Sequence, residues 1–344
     1  MQLKWVVCHH SSKHVARWPS TWSYASVRLR NSRMILCKNA VCWTQYATYI
    51  PTVIVALPLN AIALWMLFFK IRRVTESTVY LSNLVVNDCF LIFSLPFKMY
   101  AYNRVWELSQ AFCSFLESLV YVNIYGSIGL IVCISVDRYV ALKYPFESSR
   151  LRSPRKAAVI CFFIWITIFG ASFPVYSLHN NKACFQNFTN TTWDNVGIIV
   201  AIETTFCISA VLMIFCSIQV VQILREMRRR NPLDRKLQNN KSVKIVLCNL
   251  ITFLVCFIPY HIAALLYFLA KRQVITGLDD PLRDFVHISS CLSSLNCLFD
   301  GICYYFILKE HELSMKQEWW HLTRSQTTWS IGANGPRPRG PQGL

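Results

Sequence analysis

Asp88 is a single carboxylate inside an apolar run spanning about residues 77–102. A charge in such a setting is costly, so its position is functional by default. Two other apolar runs carry matching groups. Asn123 and Ser127 lie four residues apart, and so do Asn296 and Asp300. On helices, each pair shares one face. Three such faces turned together gather oxygen atoms and two carboxylates, a fit for sodium or ordered water. The alternative is a hydrogen-bonded network that only holds helices together.

A second constellation sits on one stretch. Cys113 and Arg138 are 25 residues apart, which on a helix is about 37 Å. They therefore belong to opposite faces of a bilayer. Asp137-Arg138-Tyr139 closes the stretch at one face, where an Arg held by its neighbouring Asp can swing to donate to carbonyls of a partner. Cys184 lies in a polar segment at the other end, beside the sequons that begin at Asn187 and Asn190. Those sequons mark a glycosylated exterior. A Cys113–Cys184 disulfide would tie that segment to the stretch in an oxidising space; the alternative is two free thiols.

The elements that position these groups follow from composition. The chain has 344 residues, of which 54% are hydrophobic and 15% charged. A soluble domain averages about 25% charged. Seven apolar segments are long enough to cross a bilayer as helices, at about 44–69, 77–102, 110–143, 156–178, 194–226, 241–270 and 283–308. The expected fold is an all-α seven-transmembrane bundle over 44–308, with a tail at 1–43 and a cytoplasmic segment at 309–344. Phe306 to Leu313 reads as a short amphipathic eighth helix along the membrane face. The formal charge of +18 is gathered in short connections rather than one surface, so it sets membrane orientation and does not imply nucleic acid.

Lys70, Arg72, Arg73, Arg150, Arg152, Arg155, Arg228, Arg229 and Arg230 place the odd-numbered connections in the cytoplasm and the N-terminus outside. The basic, acid-free stretch 1–43 taken alone argues the other way. Cys89, Cys133, Cys161, Cys207, Cys216, Cys248 and Cys256 lie in apolar runs and read as free core thiols. No metal-ligand spacing, phosphate loop or nucleophile elbow is present, so the chain does not read as an enzyme. A transporter would show repeated halves, which these spans lack.

With these residues placed, the chain resembles the rhodopsin-like (class A) G-protein-coupled receptors over about residues 44–312. The matching residues are Asn60, Asn83 to Asp88, Cys113, Asp137-Arg138-Tyr139, Trp165, Phe253 to Pro259, and Asp300 to Tyr304. Ser94 to Met99, Leu151 to Lys156, Phe173 to Ser177 and Cys303 to Phe306 resemble the receptors for lysophosphatidylinositol and their kynurenic-acid-linked sibling. The resemblance implies a plasma-membrane receptor for an extracellular anionic lipid of the lysophosphatidylinositol type. Its partners would be a heterotrimeric G protein and arrestin. A small acidic metabolite is the alternative ligand; Ile124, where the sibling keeps an Arg, favours the lipid.

The resemblance places Lys98 at an anionic headgroup. Glu117, Tyr121, Phe257 and His261 are expected on the pocket walls and Arg283 at the rim, though Arg283 equally suits snorkelling at the interface. Asp137, Arg138, Tyr139 and Tyr304 would serve G-protein coupling. The sequence departs from the family at Ala210, Phe257 and Gly301, and Asn239 stands where relatives place an acid that clamps the Arg. A loosely locked resting state with some ligand-free signalling follows.

Overall fold

The computed structural model describes residues 40–70, 74–103, 106–147, 152–177, 184–185, 195–232 and 241–304. Every described residue lies in one compact unit, Asn39–Leu344. Outside the described residues fall the sequons at Asn187 and Asn190, Asn239, the eighth helix and both tails.

The described part is a helix bundle. The first span is Ala40–Trp65, continued by a π-turn at Met66–Lys70. The second is Glu76–Asn103, the third Gln110–Lys143, the fourth Pro154–Ser177 and the fifth Val196–Arg230. The sixth runs as Lys241–Thr252, a π-turn at Phe253–Phe257, and Ile258–Lys271. The seventh is Asp279–Ser293 followed, after a turn, by helix over 296–304.

Six of these are long and apolar enough to cross a membrane by length and composition. The seventh falls short as one helix for two reasons. Its opening turns carry Asp279, Asp280, Arg283 and Asp284, and it breaks at Ser294-Leu295. The Ser293 and Ser294 hydroxyls each donate to the Ser290 carbonyl at 2.9 Å, competing with the helical ladder there. The fifth span outruns the expected 226 because Arg228, Arg229 and Arg230 sit in its last turn, where cations suit the negative helix end.

Sequence chemistry explains the joints. Pro259 lacks an N–H, and its ring crowds the carbonyl four residues back. The π-turn at Phe253–Phe257 falls on that place and absorbs the misfit. The core holds Tyr49, Leu84, Leu91, Leu95, Ile124, Leu130, Ile131, Ile134, Phe253 and Tyr304, all fully buried. Phe68, Phe162, Phe163, Ile208 and Val211 point outward, an arrangement suited to lipid rather than water.

Two glycines permit close helix contacts. A methyl group on Gly126 would lie 2.7 Å from Asn87 Oδ1, and one on Gly301 would lie 3.0 Å from Asn60 Nδ2. Gly301 thus lets the first and seventh spans approach, and there Asn60 Nδ2 donates to the Cys297 carbonyl at 3.0 Å. Trp165 Nε1 donates to Asn83 Oδ1 at 2.8 Å, joining the fourth span to the second.

Candidate functional site

Cys113, at the start of the third span, is bonded to Cys184, with a Cα–Cα distance of 5.8 Å. The bond draws the residue after it, Phe185, over the second and third spans. The Phe185 N–H donates to Glu117 Oε1 at 2.6 Å, and its carbonyl accepts from Tyr102 Oη at 3.0 Å. Phe185 has φ +62, a left-handed conformation uncommon for a bulky side chain, so these three ties hold a strained residue in place. Cys113, Glu117 and Cys184 lie close enough to suggest a metal cluster, but both sulfurs are already joined to one another.

Lys98 lies under this cap and is 5% exposed. Its Nζ donates to Ser290 Oγ at 3.1 Å and lies 5.2 Å from the Tyr49 ring and 5.8 Å from the Phe185 ring. Among the described residues no carboxylate lies within ion-pair distance of Lys98. Tyr102 Oη also lies 2.7 Å from His287 Nδ1. The sequence-predicted Lys98 and Glu117 are therefore brought together. Tyr121 follows one turn along the third span and is half-buried. Arg283, one turn before His287 on the seventh span, is 44% exposed and pairs with Asp280 at 3.2 Å.

Deeper, His261 Nδ1 faces both oxygens of Glu203 at 3.2 and 3.3 Å. Phe206 stacks on the imidazole with ring centroids 3.7 Å apart, while Tyr125 and Tyr260 meet it edge-on. Phe257 is fully buried and set edge-on to Phe253, a core ring below this group. Glu203 was not anticipated, although a lone acid in the apolar stretch 196–224 was signal enough. Ser290, Tyr49 and Tyr102 carried no such signal, because hydroxyls are ordinary in membrane helices.

The middle of the bundle holds the predicted polar cluster. Asn123 Nδ2 donates to Asp88 Oδ1 at 3.3 Å, Asn296 Nδ2 donates to Ser127 Oγ at 2.8 Å, and Asn87 Nδ2 donates to Ser127 Oγ at 3.0 Å. Several buried oxygens have no protein partner: Asp88 Oδ2, Asn87 Oδ1, Asn123 Oδ1, Asn296 Oδ1 and both oxygens of Asp300. Every leftover atom is a hard oxygen acceptor, the donor set that suits a hard cation.

At the inner end, Asp137 is the hub. Its Oδ2 accepts from Ser77 Oγ at 3.0 Å and Arg138 Nε at 3.1 Å, and its Oδ1 accepts from Arg152 Nε at 2.6 Å. Arg138 also contacts Ser77 directly, and Arg152 Nη2 reaches Glu76 Oε2 at 3.2 Å. Burial works to lower the Arg152 pKa, but hydrogen bonding to Asp137 and the Asp137 and Glu76 charges outweigh it, so the pKa is raised. Tyr139 turns toward Phe215, with ring centroids 5.7 Å apart. Tyr304 Oη donates to Asn249 Oδ1 at 3.3 Å. Cys248, expected as a free core thiol, faces Cys303 across the sixth and seventh spans, with a Cα–Cα distance of 6.6 Å. Its apolar setting hid a neighbour brought near only by the packing of the two spans.

Comparison with known proteins matches this architecture. The family model for the 7 transmembrane receptor (rhodopsin family) fits residues 59–304. The chain is 34% identical to lysophosphatidic acid receptor 6 of Mus musculus over 286 residues, covering 79% of this chain and 82% of that receptor. It is 33% identical to G-protein coupled receptor 55 of Homo sapiens over 282 residues, covering 79% and 87%. It is 32% identical to G-protein coupled receptor 35 of Homo sapiens over 267 residues, covering 75% and 82%.

Proposed function

The chain belongs to the rhodopsin family of seven-transmembrane receptors, and from that membership we propose that Lys98 anchors the headgroup of an extracellular anionic lysophospholipid. The chain is a G-protein-coupled receptor and not an enzyme. The observation that carries the ligand reading is the Lys98 ammonium itself. It is buried, has one hydroxyl and two aromatic faces around it, and has no carboxylate at ion-pair distance among the described residues. A buried cation in that state is costly, and an anionic headgroup removes the cost. Relatives named as lysophosphatidic acid receptors support a lysolipid, and the second-span stretch Ser94 to Met99 favours the lysophosphatidylinositol type.

In this reading the plasma membrane holds the chain with its N-terminus and Phe185 outside. The ligand draws together the second, third and seventh spans, and that shift favours a packing in which the inner half of the sixth span swings away. The π-turn before Pro259 is the joint. The swing parts Asn249 from Tyr304 and uncovers Arg138 for a G-protein segment; arrestin would compete for the same cleft. Sodium bound among Asp88, Asn123, Ser127, Asn296 and Asp300 would neutralise the paired carboxylates and favour the resting packing.

The test is a panel of lysophospholipids and small carboxylic acids on cells expressing the chain or Lys98→Ala at matched surface levels, reading G-protein activation. Response to a lysophospholipid that falls at least tenfold in Lys98→Ala supports the reading. Undiminished response in the variant, or response to small acids alone, overturns it.

A further inference from the structure

We infer that His261, held in place by Glu203, forms a second ligand subsite, an acceptor that takes a hydroxyl group of the ligand and so sets which headgroup the receptor prefers. The inference rests on the lysophospholipid reading of Lys98.

The argument begins with the proton on His261. Its Nδ1 faces a carboxylate through two oxygens, at 3.2 and 3.3 Å. A carboxylate only accepts hydrogen bonds, so Nδ1 carries the hydrogen. In the neutral ring that leaves a lone pair on Nε2. The ring is held by its stack on Phe206 and by Tyr125 and Tyr260 at its edges, so Nε2 keeps its direction. Yet Nε2 is buried without a hydrogen-bond partner, on a side chain that is 2% exposed. A buried acceptor left unmatched is a standing cost that a hydroxyl donor removes. Glu203 itself keeps spare lone pairs beside it, 17% exposed.

The third span connects this pair to Lys98. Glu117, Tyr121 and Tyr125 are spaced by four residues and share one face. At the outer end of that face Glu117 accepts from the N–H of Phe185, whose ring lies over Lys98, and at the inner end Tyr125 meets the His261 ring edge-on. Glu117 and Tyr125 are about 12 Å apart along the helix. A bare phosphomonoester held by Lys98 brings charge but no reach, and deeper in it would meet the Glu203 carboxylate. A headgroup with a hydroxylated ring beyond its phosphate brings donors toward His261 and no extra charge. Glu203 is thus a positioning residue that fixes the ring's tautomer, and His261 is the contact.

The experiment compares lysophosphatidylinositol with lysophosphatidic acid of the same acyl chain. Both are titrated on the full chain and on Glu203→Gln and His261→Phe at matched surface expression. His261→Phe keeps a ring against Phe206 and removes Nε2. The expected result is a fall of about tenfold in lysophosphatidylinositol potency in both variants, with lysophosphatidic acid potency unchanged or improved. Equal losses for the two lipids mean a packing role and overturn the inference alone, as does an unchanged potency ratio. A wild-type chain silent to both lipids overturns the Lys98 reading and this inference with it.

Discussion

Tyr304 donates its hydroxyl to Asn249 Oδ1 at 3.3 Å, fastening the seventh span to the sixth near their inner ends. Arg138 makes no comparable tie to the sixth span among the described residues; its partners are Asp137 and Ser77. The resting position of the sixth span therefore leans on Asn249. Asn249→Ala removes one buried hydrogen bond, about 1 kcal/mol, and shifts the balance of packings about fivefold. Ligand-free G-protein activation per surface receptor is expected to rise by that order. An unaltered basal level would show that the resting state is held elsewhere.

Arg152 converges with Arg138 on Asp137 and also reaches Glu76. It therefore neutralises the carboxylate that holds Arg138, while linking the connection between the third and fourth spans to the second span. Arg152→Ala leaves Asp137 to Arg138 and Ser77 alone and strengthens their hold on the Arg. Maximal agonist-driven G-protein activation is expected to fall by about half a log, with little change in agonist potency. Partly exposed pairs are weak, so a loss beyond about tenfold would indicate direct contact with the G protein instead.

The paired carboxylates Asp88 and Asp300 predict a salt effect. Asp300 has both oxygens unmatched, and so does one oxygen of Asp88. Replacing sodium chloride by choline chloride removes the cation at constant ionic strength. Basal nucleotide exchange in membranes is expected to rise in choline for the wild-type chain, and to be the same in both salts for Asp88→Asn. Equal rates for the wild-type chain in the two salts would leave the cluster as helix-to-helix bonding only.

Gly126 offers a stability test. An added methyl would sit 2.7 Å from Asn87 Oδ1. Asn87 cannot retreat freely, since its Nδ2 is bonded to the Asn123 carbonyl at 2.9 Å and to Ser127 Oγ at 3.0 Å. Gly126→Ala is expected to cost about 1–3 kcal/mol, read as a lower melting temperature of detergent-purified receptor. Gly170, with nothing within 4 Å of an added methyl, is the matched control.

Much of this was legible in the sequence because membrane burial makes polar residues conspicuous. Asp88, Asn123, Ser127, Asn296 and Asp300 announced themselves as costly groups on helical faces, and the structure brings four of them into one network of neighbours. The spans followed from apolar length. The seventh did not behave as an ordinary span, because its charged opening and serine break are tolerated only by packing against other helices. The π-turns were hidden, since Pro259 predicts a disturbance but not how the ladder closes around it. Phe185 was invisible as well: a hydrophobic residue in a polar loop gives no hint that a disulfide and two hydrogen bonds will fold it over Lys98.

That arrangement of Phe185 yields the last prediction. Cys184 and Glu117 act on the same residue, one through the covalent bond to Cys113 and the other through the Phe185 N–H. A charge-assisted hydrogen bond contributes about 1.5–3 kcal/mol and a neutral one about half that. Glu117→Gln is expected to lower lysophosphatidylinositol potency about tenfold with near-normal surface expression. Cys184→Ser removes a cross-link over a 71-residue separation, at roughly 2–5 kcal/mol, and lowers both expression and potency. If both work by holding Phe185 at its left-handed backbone angle, the double variant loses no more potency than Cys184→Ser alone, because Phe185 is already released. Fully additive losses in a titration of surface-matched cells would mean that Glu117 touches the ligand directly and that the Phe185 cap is not its route of action.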